Sequence, residues 1–168
     1  MTTKPSKAAW LAAAIAVALG VLAGVAPAAA APMPKAGTIL EDQLGNKVDA
    51  GPALVAGHVV LVVSNEREAA ASLRAWHVAL KDCLPAGACI VLVADLRAVP
   101  FFVPRSSVAA SLGREHPDLP ILLDWKGALA AAFDTGKAGV AVECWQGGRR
   151  IARATGMPHA AALAQLGL

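Results

Sequence analysis

The chain has 168 residues, of which 57% are hydrophobic and 16% are charged, with fifteen Lys and Arg against twelve Asp and Glu. Two of the basic residues, Lys4 and Lys7, stand at the extreme N-terminus, and the others nearly balance the acidic residues. A near-neutral chain gives no electrostatic case for nucleic-acid binding, and its length fits one domain with a single hydrophobic core.

The N-terminus has the three regions of an export signal. After the basic start, residues 8–25 are apolar and uncharged, and the small residues Pro27–Ala31 follow. We expect cleavage after Ala30, because Ala28 and Ala30 occupy the small positions that a signal peptidase reads. The sequence therefore predicts a signal peptide at residues 1–30 and a periplasmic or secreted protein. The apolar stretch approaches the roughly 20 residues that cross a bilayer, so an uncleaved anchor is the alternative.

The predicted domain spans residues 37–168, after a Pro- and Ala-rich leader at 31–36. Its first half begins with a turn-rich sequence. Two short segments around Gly45 favour a hairpin. The continuous run Val59–Val63 then predicts a strand buried on both faces, and the second such strand is Cys89–Asp95. Between them lies a predicted helix with Ser64 and Asn65 as cap, acidic residues in its first turn, and the apolar stripe Leu73, Trp76 and Leu80.

The second half predicts further alternation of helices and strands. An irregular segment at 96–104 leads into a short helix from Ser107 to about Glu115, with Ser106 as its cap. The later elements are a strand at Leu119–Leu123, a short helix capped by Asp124, a hairpin formed by Val140–Cys144 and Arg149–Ala154, and a closing helix. This order predicts an α/β fold with a central mixed β-sheet and helices on both faces.

This order of elements resembles the thioredoxin-like fold, in the version of exported peroxiredoxin-like and TlpA-like proteins. Leu122–Ala130 is similar to the "leu-Asp-x-x-Gly-x-leu-Ala" segment common in that group, and Gly147–Ile151 is similar to its "Asp-Gly-Arg-Ile" hairpin tip. A tighter resemblance is to the YtfJ-like group of periplasmic proteins, through the run Phe102–Ser107, although Pro104 departs from that group's pattern. These resemblances imply fold and compartment more than activity.

The resemblance also shows which redox residues are missing. Thioredoxin chemistry uses a Cys-x-x-Cys pair where the helix after the first core strand begins, because the helix dipole there lowers the pKa of the attacking thiol. In this chain that position reads Ser64–Arg67, and the slot of the family's cis-proline holds Ala138. We therefore expect a non-catalytic binding or accessory module. The alternative is a thiol-disulfide oxidoreductase or thiol peroxidase-like protein that uses its cysteines in another arrangement.

The three cysteines are Cys83, Cys89 and Cys144. In an oxidising compartment, Cys83 and Cys89 are predicted to form a disulfide that staples the loop between the first helix and the next strand. Two free buried thiols or a displaced redox pair are the alternatives for these positions. Cys144, at the end of a strand, is expected to be a core or edge thiol.

Five polar residues are candidates for binding: Asp95, Arg97, Arg105, Ser106 and Asp124. Ligands of α/β proteins bind beyond the carboxyl ends of the strands, and Asp95 and Asp124 both come at the end of predicted strands. A helix start with an arginine suits a carboxylate or a phosphate. The alternative is structural, with both aspartates capping turns and Arg105 paired with one of them.

No metal or cofactor is predicted, because none of the four histidines stands at a metal-ligand spacing from another histidine or a cysteine. The expected partner is an unidentified protein or small molecule of the cell envelope, and not a nucleic acid. Membrane contact is expected only if the signal stays uncleaved. If the domain binds a partner, Phe101–Val103 should form exposed apolar surface.

Overall fold

The computed structural model describes residues 37–55 and 57–168, so the predicted signal and leader lie outside the described residues. The strands are β1 Ile39–Asp42, β2 Lys47–Asp49, β3 His58–Ser64, β4 Cys89–Asp95, β5 Ile121–Asp124, β6 Val140–Gln146 and β7 Arg149–Thr155. The helices are α1 Ala50–Val55, α2 Ala69–Lys81, α3 Arg105–Glu115 and α4 Ala160–Gln165, with 3-10 turns at Ala130–Ala132 and Gly136–Ala138. Within the described residues, no helix is long and apolar enough to cross a membrane.

All seven strands form one mixed sheet in the order β2-β1-β5-β4-β3-β6-β7. Strands β3, β4 and β5 are parallel, whereas β1 runs antiparallel to β5, and β6 runs antiparallel to both β3 and β7. The three parallel strands end at Ser64, Asp95 and Asp124, and we call this side of the sheet the carboxyl edge. The α/β fold with a mixed sheet is confirmed.

The core lies on both faces of the sheet, which explains the unbroken apolar run of β3. Val60 and Val62 pack on one face against the α2 stripe of Leu73, Trp76 and Leu80. The alternate residues of β3 pack on the other face in a second cluster that contains Leu122, Leu129, Phe133 and Trp145. Side chains of a strand point alternately to opposite faces, so a strand covered on both sides needs apolar residues throughout.

The second helix begins later than the sequence predicts. Ser64 is still part of β3, where it pairs with Ala94 and Val140, and the helix starts only at Ala69. Glu68 stands at the N-cap without a side-chain hydrogen bond, so the predicted cap by Ser64 and Asn65 is wrong. Strand pairing on both sides holds Ser64 extended, and residues 65–68 become a connecting turn.

Proline decides two further boundaries. Helix α3 begins at Arg105, directly after Pro104, whose φ of −62° suits a helix start and whose carbonyl accepts hydrogen bonds from Ser107 and Val108. Ser106 makes no capping bond, so that prediction is wrong. Strand β5 begins at Ile121 rather than Leu119, because Pro120 has no N–H to donate to a ladder.

Helix α1, at Ala50–Val55, was not predicted from the sequence. The carboxylate of Asp49 accepts a hydrogen bond from the amide of Gly51 at 3.0 Å and so helps to start this helix. Ala50 is buried in the second core cluster, which places α1 on the face of the sheet opposite α2.

Candidate functional site

A groove of about 1090 Å³ opens at the carboxyl edge, between the start of α2, the loop after β4, and one side of α3. Its apolar lining includes Ala70, Val99, Val103, Val108 and Leu112. Charged and polar residues stand around these side chains: Asn65, Glu66, Arg67, Glu68, Asp95, Ser107, Ser111, Glu115 and His116. The groove thus combines an apolar floor with a mixed rim, which suits a ligand that has both kinds of surface.

One wall of the groove is the turn after β3, which rests on the residue before β6. The amide of Asn65 donates a hydrogen bond to the carbonyl of Gly139 at 2.9 Å, and the hydroxyl of buried Ser72 donates to the carboxylate of Glu66. Gly139 has a φ of +72°, and a Cβ there would lie 2.5 Å from Cγ of Glu66. A glycine is therefore required both by the backbone and by the close approach of Glu66.

Two neighbouring residues before β6, Ala138 and Gly139, have different surroundings. Ala138 is exposed and belongs to a 3-10 turn, whereas Gly139 is the residue that contacts the turn after β3. Gly139, in the left-handed conformation, ends the 3-10 turn and directly precedes β6.

Asp95 and Arg97 form a two-pronged ion pair at the end of β4. Arg97 Nε lies 2.9 Å from Asp95 Oδ1, and Nη2 lies 2.7 Å from Oδ2. Burial by itself raises the pKa of the Asp95 carboxyl, but the hydrogen bonds and charge of Arg97 outweigh it and hold that pKa below its ordinary value of 3.8. The arginine stem lies against Gly127, where a Cβ would meet Arg97 Cδ at 2.5 Å.

Asp124 is fully buried and caps the turn that follows β5. Its two carboxylate oxygens accept hydrogen bonds from the amides of Ala128, Leu129 and Ala130, at 2.8–2.9 Å. Three backbone N–H groups therefore bind this carboxylate, which is a structural role. Asp124 therefore caps a turn, whereas the short helix predicted after it is only the 3-10 turn Ala130–Ala132, with Leu129 at its N-cap position.

Arg105 and Ser106 begin α3 on the outer side of the carboxyl edge. The Arg105 guanidinium carbon lies 5.1 Å from the ring centroid of Trp125, as a cation–π contact, and does not pair with an aspartate. Of the five predicted binding residues, only Asp95 lines the groove, and Ser107 rather than Ser106 contributes a hydroxyl there. The predicted residues thus stand near the carboxyl edge, where the groove opens, but four of the five do not line it.

Two phenylalanines project from the loop between β4 and α3. Phe101 is 99% exposed and Phe102 is 72% exposed, and their rings meet edge to face with centroids 5.8 Å apart. The turn beneath them is closed by a hydrogen bond from the amide of Val103 to the carbonyl of Pro100 at 3.0 Å. The expected exposure of apolar surface in this segment is confirmed, and we call Pro100–Val103 the aromatic tip.

The cysteines lie away from the groove. Cys83 and Cys89 are exposed free thiols, so the predicted disulfide between them is not formed in this structure, and the two are not buried either. Backbone hydrogen bonds already hold their loop, from Leu84 to Leu80 and from Ala88 to Pro85. Cys144 is buried, and burial raises the pKa of its thiol to about 11.

Comparison with solved structures identifies the fold. No protein-family model and no curated protein matches the chain. A secreted Mycobacterium tuberculosis disulfide oxidoreductase, homologous to E. coli DsbE, superposes with a TM-score of 0.52 over 77% of this chain and 93% of its own, at 13% identity. The exposed lipoprotein thioredoxin Etrx1 of Streptococcus pneumoniae gives a TM-score of 0.55 over 76% and 94%, at 15% identity. The fold is thioredoxin-like.

In a thioredoxin-like fold the turn after β3 is the place where the resemblance puts the redox cysteines. Here that turn holds Asn65–Glu68, fixed by Gly139 and Ser72, and the groove beside it remains open. Sequence reasoning missed Gly139 and Ser72. The only signals for them were a glycine directly before a strand and a serine beside the apolar stripe of a helix. What this arrangement offers is a shaped binding surface without a thiol.

Proposed function

We propose that this chain is an exported, periplasmic thioredoxin-like protein that acts as a non-catalytic binding or accessory module. One observation carries the proposal: the groove at the carboxyl edge is retained, while the turn beside it contains no cysteine. Export is supported by the signal-like N-terminus, by the YtfJ-like run Phe102–Ser107, and by the secreted or exposed nature of two structural neighbours.

The positions of the cysteines argue against redox chemistry at the groove. Cys89 is the first residue of β4 and Asp95 is the last, so about 20 Å of strand separates that thiol from the groove. Cys83 follows the far end of α2. Cys144 is 1% exposed with a pKa of about 11, so at neutral pH it is a protonated, inaccessible thiol rather than a nucleophile.

The lining of the groove suits a segment of a protein partner. Its apolar floor, from Val99, Val103, Val108 and Leu112, offers pockets for apolar side chains. Its rim carries Glu66, Glu68, Arg67 and Glu115, which fit polar or basic groups of an extended segment. The groove therefore binds without a covalent step.

Turnover assays test the absence of catalysis. The protein recovered after export is assayed for insulin reduction with dithiothreitol and for peroxide consumption, beside a thioredoxin as positive control. We expect no rate above the blank, and the same result for Cys83→Ser/Cys89→Ser. Turnover that disappears in this double variant would establish the oxidoreductase instead.

That oxidoreductase is the second candidate function, because Cys83 and Cys89 are both exposed and a structural neighbour is a secreted disulfide oxidoreductase. The two thiols could also form the structural staple in an oxidising compartment, which remains a proposal. Alkylation before and after reduction, read by intact mass, distinguishes the states. With the protein denatured in both samples, one blocked thiol before reduction and three after reduction indicate the staple, and a mass that begins at Ala31 indicates signal cleavage.

Site-specific crosslinking tests the groove itself. A photoreactive amino acid at Val99, within the groove, is expected to give a discrete adduct in the periplasm. Ser107→Trp places a large ring in the groove and should remove the adduct. Ser106→Trp is the matched control, since the neighbouring residue is equally exposed but does not line the groove. An adduct that survives Ser107→Trp, or no adduct at all, would contradict the proposed site.

A further inference from the structure

The aromatic tip is the most exposed apolar feature of the described residues. Its two rings contact each other but leave nearly all of Phe101 and most of Phe102 in water. The turn bond from Val103 to Pro100 and the prolines at 100 and 104 fix the backbone that carries them. A rigid turn that holds two phenylalanines outward points to a surface that receives them.

The segments that leave the carboxyl edge beside the tip carry exposed cations. Residues 96–105, which end at the first residue of α3, and residues 125–128 contain Arg97, Arg105 and Lys126 and no acidic residue. Asp95 is neutralised by Arg97, and Asp124 is fully buried. Arg97 is paired in turn by Asp95, and Glu66, Glu68 and Glu115 line the groove beside the tip together with Arg67. Arg105 and Lys126 are the exposed cations that these two segments add beside the tip.

The route of the chain adds an independent observation. Glu41 pairs with Leu123 and Asp42 pairs with Leu122 in antiparallel register, so β1 begins at the carboxyl edge. The chain thus enters the domain on the side from which the tip projects. The apolar stretch at residues 8–25 precedes Gly37 by only eleven residues in the sequence. The point where the domain begins and the tip thus lie at the same edge of the sheet.

We propose that the aromatic tip inserts into the headgroup region of an anionic membrane, with Arg105 and Lys126 against lipid phosphates. Phenylalanine side chains partition into the interface, and cations beside them are attracted by the negative surface potential. A protein pocket could also receive two rings, but the exposed cations Arg105 and Lys126 and the chain entry on the same edge favour lipid. The inference concerns Phe101 and Phe102, which do not line the groove, so its failure would leave the proposed groove function standing.

Vesicle sedimentation tests the inference. The exported protein, whose N-terminus is read by intact mass, is mixed with vesicles of phosphatidylcholine alone or with added phosphatidylglycerol. We expect binding to the anionic vesicles that weakens as salt is raised. Phe101→Ser/Phe102→Ser should lower the partition coefficient at least about tenfold. Lys126→Gln should lower it roughly fivefold on anionic vesicles only.

Leu44→Ser is the matched control, because Leu44 is 61% exposed but follows β1 at the opposite edge of the sheet. It should leave vesicle binding unchanged. Both Phe side chains are exposed, so the double variant should keep the wild-type thermal unfolding curve by circular dichroism. Absence of vesicle binding, or sedimentation of the double variant equal to wild type, would overturn the inference. The inference would also be overturned if a photoreactive residue at position 102 formed an adduct with a protein and the same chain did not bind vesicles.

Discussion

At the scale of the residue, Asp124 shows how one side chain organises a buried turn. It accepts three backbone hydrogen bonds while fully buried. Asp124→Ala should destabilise the protein by about 3 kcal/mol or more, because three amides lose their partner away from water. Urea unfolding measures this. Asp134→Ala is the control, since its single bond to the Gly136 amide is exposed, and a loss above about 1 kcal/mol there would contradict the explanation.

Gly139 makes a second prediction at this scale. Gly139→Ala forces a side chain into the left-handed region and against Glu66, which should cost about 1–3 kcal/mol of unfolding free energy. Gly136→Ala shares the positive φ but has only an Asp134 oxygen at 4.0 Å, so it should cost less. In a Glu66→Ala background the difference between the two variants should largely vanish. A difference that persists would show that contact with Glu66 is not its cause.

At the scale of the element, Gln43 fastens the N-terminal hairpin to the loop between α3 and β5. Its Nε2 donates to the carbonyls of His116 and Leu119, and its Oε1 accepts from the amide of Ile121, while the side chain is buried. These bonds join parts of the chain more than seventy residues apart. The same clamp supports His116, which lines the groove.

Gln43→Leu should therefore lower the unfolding free energy by about 3 kcal/mol, because two buried backbone groups and one partly buried carbonyl lose their partner. Hydrogen exchange should quicken most at Ile121, whose amide faces the lost oxygen. The neighbouring variant Leu44→Ala serves as control and should change stability little, since that side chain is mostly exposed. Unchanged exchange at Ile121 in Gln43→Leu would refute the clamp.

At the scale of the whole molecule, we expect acid to destabilise the protein by protonating carboxylates that the folded state keeps charged. Burial raises the pKa of Asp42, but hydrogen bonds from the Asn46 side chain and from nearby backbone amides outweigh it, so the pKa lies below 3.8. Burial also raises the pKa of Asp95, but the hydrogen bonds and charge of Arg97 outweigh this effect and lower it. A folded pKa below the unfolded value contributes stability that is complete above the unfolded pKa and is lost as pH falls through the folded pKa.

We therefore expect the urea midpoint to change little from these two groups down to about pH 5 and to fall below about pH 4. Asp42→Asn/Asp95→Asn should be less stable than wild type at neutral pH and should show a shallower decline in acid. Asp49→Asn/Asp134→Asn is a control for charge alone. An equal decline in wild type and in the Asp42/Asp95 double variant would mean that other groups govern the acid transition.

What the sequence determined is the local pattern. Three local patterns predict which segments become strands and helices: the apolar run of β3, the Leu73–Trp76–Leu80 stripe and the glycine-bounded hairpin. Such patterns can be recognised because the spacing of apolar residues along the chain differs between strands and helices. The alternation of those segments specified an α/β sheet, and the positions of Asp95 and Asp124 identified its carboxyl edge. The absence of a Cys-x-x-Cys pair is likewise a property of the sequence.

Only the tertiary structure decided what that edge contains. Strand pairing moved the start of α2 from Glu66 to Ala69, and the contact of Gly139 with Glu66 joins residues more than seventy positions apart. Arg97 rather than Arg105 pairs with Asp95. The Arg105 guanidinium instead contacts the ring of Trp125, which lies after β5. Such choices depend on which surfaces meet after the sheet has formed. Distances between remote residues follow from packing and cannot be read from the order of side chains.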